Sequence, residues 1–135
     1  MSAIIVKTIM FLFLLVVLRP LSINGQATPY IHNHLEGNLD LTVHCKSKED
    51  DLGPHILHPN QSYHFTFSPR IFFGATLFFC TFRWKGSCHW FNIYDQYRDQ
   101  DECEEICHWI IKKAGPCQNT GSNHTCYPWK PDKCV

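Results

Sequence analysis

The chain of 135 residues has no surplus of charge of either sign: twelve lysines and arginines stand against twelve aspartates and glutamates. Without a basic excess there is no general electrostatic reason for it to bind nucleic acid. It also has no long apolar stretch. The longest uninterrupted run, Ile9 to Leu18, is ten residues, about half of what a helix needs to cross a bilayer. The next most apolar segment, Ile71 to Phe82, is broken by Gly74, Thr76 and Thr81 and has the length of a strand. Internal repeats and low-complexity tracts are missing, so one domain is the simplest partition. With charged residues at only 18% and aromatics at 14%, the composition opposes disorder.

What is there begins with a leader. Lys7 precedes the apolar run, Arg19-Pro20 ends it, and the small residues Gly25 and Ala27 follow. This is the pattern of a secretory signal peptide over residues 1–25, with cleavage expected between 24 and 28. Its removal takes away Lys7 and Arg19 and leaves a mature chain, 28–135, with a net charge near −2. The mature protein is expected to be extracellular, without stable membrane insertion.

All eight cysteines (Cys45, Cys80, Cys88, Cys103, Cys107, Cys117, Cys126, Cys134) lie beyond the leader. An even count in an exported chain this short predicts disulfides, of which roughly 105 pairings are possible. Two other uses of these cysteines compete. Cys103 and Cys107 followed by His108 make a zinc-like set. The adjacent pairs His44-Cys45, Cys88-His89 and Cys107-His108 bring thiol and imidazole together, but neighbours on a strand point to opposite faces. Framework disulfides are the reading adopted, with no metal and no cofactor.

From Tyr30 onward the apolar period is two. Leu39, Leu41, Val43 and Cys45 share one strand face, and Tyr63, Phe65 and Phe67 another. Thr76 to Trp84 reads as a central strand, His89 to Tyr94 and Cys107 to Lys112 as two more. Helical spacing of Cys103, Ile106, Cys107 and Ile110 competes with the last of these, and strand is preferred. Lys46 to Pro54, Pro69-Arg70, Lys85 to Ser87 and Asp95 to Glu105 read as connections. The fold class is therefore all-β, an antiparallel sandwich or small barrel.

Two polar connections are the candidate contact surfaces for a partner, because recognition residues concentrate in loops held by a rigid scaffold. One is Lys46, Lys48, Glu49, Asp50 and Asp51; the other is Arg98, Asp99, Asp101 and Glu102, in an acidic segment that also holds Asp95, Glu104 and Glu105. Asp50-Asp51-Leu52-Gly53 fits a fixed turn, and a calcium role for Glu49 to Asp51 lacks an ordered ligand series. His44 and Trp84 sit within strand patterns and read as framework residues. Asn60-Gln61-Ser62 and Asn123-His124-Thr125 make Asn60 and Asn123 candidate glycosylation sites.

In order, Ile31-x-Asn33-x-Leu35, Leu41-Thr42-Val43-His44-Cys45-Lys46-Ser47-Lys48, Asp50-Asp51-Leu52-Gly53, Tyr63-x-Phe65-x-Phe67, Phe72-Phe73-Gly74-Ala75-Thr76-Leu77-Phe78-Phe79-Cys80, Trp84, Cys103, Cys107-x-Trp109 and Gly115-Pro116-Cys117 form a chain of blocks. Together they resemble the plant self-incompatibility S1 proteins, also called S-protein homologues, over about Ile31 to Cys117. The resemblance implies a secreted, all-β fold, a small antiparallel β-sandwich stabilised by disulfides, with no known catalytic activity. The family's founding members, in poppy, are stigma proteins that act as ligands of a pollen membrane protein and trigger rejection of self pollen. The family cysteines map most clearly to Cys45, Cys80, Cys103 and Cys107, with Cys117 a frequent addition. Cys88, Cys126 and Cys134 depart from that pattern, and a Cys-containing tail from about 118 lies outside the shared core. The expected role is that of a protein ligand recognised by a plant cell-surface membrane receptor, with its oligomeric state left open.

Two other classes are weighed against it. A defence or toxin-like disulfide protein acting on membranes would ordinarily be cationic, which this chain is not. A secreted ribonuclease would use paired histidines as acid and base, but the His-Gly-Leu-Trp context of those enzymes is missing, and His32-Asn33-His34 only sets two imidazoles on one strand face.

Overall fold

The computed structural model describes residues 3–12, 25–72, 74–103, 105–132 and 134. Most of the leader's apolar run and the start of the expected cleavage region, at 13–24, lie outside the described residues, as do Phe73 and Glu104. Residues 3–12 are helical and exposed. Among the described residues no helix is long and apolar enough to cross a membrane.

Nine strands follow: β1 (Thr28–Asn33), β2 (Leu41–Lys46), β3 (Asp51–Leu57), β4 (Ser62–His64), β5 (Leu77–Trp84), β6 (Ser87–Asp95), β7 (Ile106–Lys112), β8 (Gly115–Asn119) and β9 (His124–Cys126). They form a five-stranded sheet, β4-β1-β7-β8-β9, and a four-stranded sheet, β3-β2-β5-β6. The expected all-β sandwich is present, and its pairings are antiparallel except one: β1 and β7 run parallel, with Ile31 beside Trp109.

The period of two positions the core. Leu41, Val43 and Cys45 of β2, Phe78, Cys80 and Phe82 of β5, and Phe91 and Ile93 of β6 face inward from one sheet. Ile31 of β1 and Cys107, Trp109 and Ile111 of β7 meet them from the other, with the Phe91 and Trp109 rings 5.4 Å apart in an edge-to-face pair. Cys107 to Lys112 is a strand as preferred. Its helical look came from Ile106 and Ile110, which point away from Cys107. β5 is interior to its sheet, as read, but its outer face, with Leu77 and Phe79, is only partly covered.

Besides the strand read through Tyr63, Phe65 and Phe67, which ends at His64 and leaves Phe67 a single bridge to Ala27, four elements differ from the sequence reading. The Lys46 to Pro54 connection is shorter than expected, because β3 already begins at Asp51. Gly53 takes φ 74° beside a register shift between His44 and Lys46, so the expected turn is a bulged strand start. Gly53 and Pro54 hide this strand from propensity, and an edge position is where proline is tolerated. The Asp95 to Glu105 connection contains a short helix, Gln96–Glu102. It has no apolar stripe to reveal it, and is started by Asp95, whose carboxylate accepts the Tyr97 N–H as an N-cap.

The third and fourth differences concern the tail. β8 and β9 extend the five-stranded sheet, so the chain beyond 118 is part of the fold. Tyr127 donates its N–H to the Pro116 carbonyl, and any Cβ at Gly115 would collide with the Tyr127 carbonyl. Trp129 then lies against Phe82 and His89, at 5.1 and 5.2 Å between ring centroids, and donates its indole N–H to the Lys113 carbonyl. The tail thus covers one flank of the sandwich.

Four disulfides are formed: Cys45–Cys80, Cys88–Cys134, Cys103–Cys107 and Cys117–Cys126. Cys45 and Cys80 face each other in register across β2 and β5, and Cys117 and Cys126 across β8 and β9. Cys88–Cys134 pins the end of the tail to β6. The Cys103–Cys107 bridge leaves no thiolate there for the zinc-like set. The strand geometry also separates His44 from Cys45 and His108 from Cys107, each cysteine being buried and each histidine outward.

Candidate binding site

The first candidate loop is the hairpin between β2 and β3. Ser47 N–H donates to the Asp50 carbonyl at 2.8 Å, and Ser47 Oγ accepts the Asp50 N–H at 3.0 Å. These bonds close the loop tightly and turn Lys48, Glu49 and Asp50 outward. At its base Asp51 is bonded to His44 Nε2 at 2.5 Å, accepts the Gly53 N–H at 3.0 Å, and lies 3.8 Å from Lys46 Nζ. The hydrogen bonds from His44 and Gly53 hold the Asp51 carboxyl below its usual pKa. Lys46 and Asp51 therefore brace the hairpin, while Lys48, Glu49 and Asp50 form its accessible tip.

That tip is one wall of a groove of about 590 Å³. The opposite wall is made by Ser68, Arg70, Gly74, Ala75 and Thr76, in a stretch of which only Pro69-Arg70 reads as a connection in the sequence, and the floor is apolar: Phe67, Leu77, Phe78 and Phe79. Arg70 pairs with Glu49 across the groove. Beside it Ile71 and Phe72 are about 70% exposed, an uncommon position for such side chains unless something covers them. An apolar floor with a charged rim is the anatomy of a protein-binding surface.

The short helix secures this wall. The Gln96 side-chain amide donates to the Arg70 carbonyl at 2.6 Å and accepts the Thr76 N–H at 2.7 Å, while the Gln96 N–H reaches the Thr76 carbonyl. The second candidate segment thus supports the groove from behind, but two of its four named residues face inward. Asp99 is fully buried. One of its oxygens accepts from Arg98 Nε at 2.7 Å and Gln118 Nε2 at 3.0 Å, the other from Arg98 Nη2 at 2.7 Å and the Asp95 N–H at 2.8 Å.

Arg98 is correspondingly not a surface contact. Its guanidinium lies 4.9 Å from the Trp109 ring centroid and 5.3 Å from that of Phe91, and Nη2 also donates to the Asn92 carbonyl. A planar cation stacked on aromatic rings and held bidentately by a carboxylate is a structural joint. Burial and the nearby carboxylates of Asp99 and Asp95 push the Tyr94 hydroxyl up to about 12. Asp101 and Glu102 remain exposed, so the accessible acidic character of this segment rests with them and Glu105.

For calcium at Glu49 to Asp51, the described contacts are unfavourable: Glu49 is paired with Arg70, and Asp51 is engaged by His44 and Lys46. Asn60 and Asn123 are both exposed, Asn60 at φ 67° before β4 and Asn123 in the β8–β9 turn.

Comparison with known proteins places these features in a family. The family model for plant self-incompatibility protein S1 matches residues 29–129, which takes in β8, β9 and Trp129 beyond the extent read from the sequence blocks. Three relatives from Arabidopsis thaliana illustrate the similarity. S-protein homolog 5 is 47% identical over 105 residues, covering 78% of this chain and 80% of its own. S-protein homolog 2 is 45% identical over 112 residues, 78% of this chain and 69% of its own. S-protein homolog 20 is 45% identical over 101 residues, 73% of each.

Proposed function

The chain belongs to the plant self-incompatibility S1 family, and from that membership we propose that it is a secreted protein ligand in plant cell-to-cell recognition, bound by a membrane receptor at the cell surface. The observation that carries the proposal is the groove between the β2–β3 hairpin and the segment 68–76, where a charged rim surrounds a largely aromatic floor and the exposed Ile71 and Phe72 lie alongside. Rim charges set partner choice and encounter rate, and buried aromatic anchors carry most of the affinity. The mechanism is binding rather than chemistry.

A labelled mature protein is expected to bind plant plasma-membrane vesicles saturably and in a protease-sensitive way. Replacing Lys48, Asp50 and Phe72 together by alanine should weaken that binding at least about tenfold, the loss of one or two anchor contacts. Unchanged affinity of the folded variant would remove the groove as the contact surface. Binding that survives protease, or leakage of protein-free lipid vesicles, would point instead to direct action on membranes.

Export also leaves a mass signature. The purified native protein is expected to begin between residues 24 and 28 and to lose mass on treatment with an N-glycosidase, through glycans at Asn60 and Asn123. An intact-mass measurement that finds Met1 retained and no glycosidase-sensitive mass would contradict the exported state.

A further inference from the structure

The outward face of the five-stranded sheet carries an arrangement that the groove does not use. Across β4, β1 and β7 the register sets His64 beside Tyr30 and Tyr30 beside His108. The Tyr30 and His64 rings stack with centroids 4.6 Å apart, and the His108 ring is tilted against Tyr30 at 5.3 Å. One step along β1, His32 leans across to its neighbour on β7. Its Nε2 is 2.9 Å from His108 Nδ1, and the two rings lie nearly parallel at 5.1 Å. Two imidazole nitrogens from residues 76 apart in sequence are thereby held in hydrogen-bonding contact on an exposed surface.

We propose that His32 Nε2 and His108 Nδ1 form a binding site for a divalent transition-metal ion of the nickel, copper or zinc class. Three observations support it. First, the spacing fits: two nitrogens bound at about 2.1 Å to one ion are about 3.0 Å apart at adjacent corners of a square or octahedron, and about 3.4 Å apart in a tetrahedron. The observed separation needs almost no movement for the former.

Second, the outer partner of His32 is in place. Its Nδ1 lies 2.5 Å from Ser62 Oγ; in the tautomer that carries its proton on Nδ1 the ring donates to Ser62 and leaves the Nε2 lone pair for the ion, the arrangement that orients metal-bound imidazoles elsewhere. The proton count balances without release at neutral pH, because the proton shared between the two rings moves to the remote nitrogen of its own ring when the ion binds. Each neutral ring then carries its single proton on Nδ1 for His32 and Nε2 for His108.

Third, the site is open. His108 is exposed and lines, on its β8 side, a groove of about 380 Å³ with Asn119 and Ile106, which leaves room for water at the remaining positions.

The test is titration of the tag-free mature protein with Ni²⁺ at pH 7.5, by calorimetry and by NMR of the histidine ring C–H signals. One equivalent should bind, with the His32 and His108 signals broadened first. His32→Asn and His108→Asn should each lower affinity at least tenfold while leaving the thermal melt unchanged. His64→Asn should leave affinity within twofold, and acidification to pH 5 should release the ion. Absence of stoichiometric binding at pH 7.5 would overturn the assignment. Affinity that survives both His32→Asn and His108→Asn, or that is lost equally on changing His64 or His124, would do the same.

Discussion

Replacing Asp99 by alanine is expected to cost about 3–5 kcal/mol of folding stability, because it strands the stacked Arg98 guanidinium without its counter-charge. The carboxylate accepts four hydrogen bonds, two at each oxygen. It joins the short helix to β8 through Gln118 and closes on the start of the helix through the Asp95 N–H. Asp99→Asn should recover little of the loss. Whichever way the amide is turned, its NH₂ faces two donors where an acceptor is required. Urea denaturation of the two variants measures this directly, and a cost below about 1 kcal/mol for Asp99→Ala would show that the joint is not a major stabilising contact.

The same joint bears on recognition. Gln96 ties the segment 68–76 to the helix, and Asp99 ties the helix to the sandwich core. A loop held in this way presents Arg70, Ile71 and Phe72 with less ordering left to do on binding, which is how a rigid scaffold raises affinity without adding contacts. The Asp99 variants should therefore loosen the groove wall as well as lower global stability.

This joint also marks where the sequence ceased to be legible. Leu41, Val43 and Cys45 alternate cleanly, and the run Leu77 to Trp84 is dense in aromatic and β-branched residues, so β2 and β5 could be read from pattern alone. Arg98 and Asp99 lie among Asp95, Asp101, Glu102 and Glu105, and a run of charges carries no sign of which two members turn inward. Burial of an ion pair is decided by partners distant in sequence, here Trp109 and Gln118. β3 was obscured by Gly53 and Pro54, and β8 by Gly115 and Pro116, residues that usually punctuate strands.

For the binding site, one wall was readable and the other was not. Lys46 to Asp51 stood out as a polar loop after β2, although β3 on its far side was hidden, whereas 68–76 gains its meaning only when Gln96 holds it opposite that tip. The histidine pair is a stronger instance. His32 was visible as an outward strand residue, but its approach to His108 depends on β1 and β7 lying parallel, a long-range pairing that no local pattern encodes.

Cysteine pairing shows the same dependence, and it yields the second large effect. Cys45–Cys80 closes a span of 35 residues, and Cys117–Cys126 a span of nine. Loop-closure entropy then assigns about 4 kcal/mol to the first and about 2.5 kcal/mol to the second. Cys45 and Cys80 are both completely buried at the centre of the four-stranded sheet, so their joint change to alanine also forfeits core packing. Cys126 is exposed on an edge strand and offers little packing to lose. Cys45→Ala/Cys80→Ala should therefore lower the unfolding midpoint in urea well below that of Cys117→Ala/Cys126→Ala under non-reducing conditions. Cys88–Cys134 spans 46 residues, yet it anchors a tail that can open by itself. Its removal should appear first as protease cleavage near Trp129, with a smaller fall in global stability than its span alone would give. The reverse order, with the edge-strand bridge outranking the central one, would mean that the tail and not the four-stranded sheet is the more cooperative part of the fold.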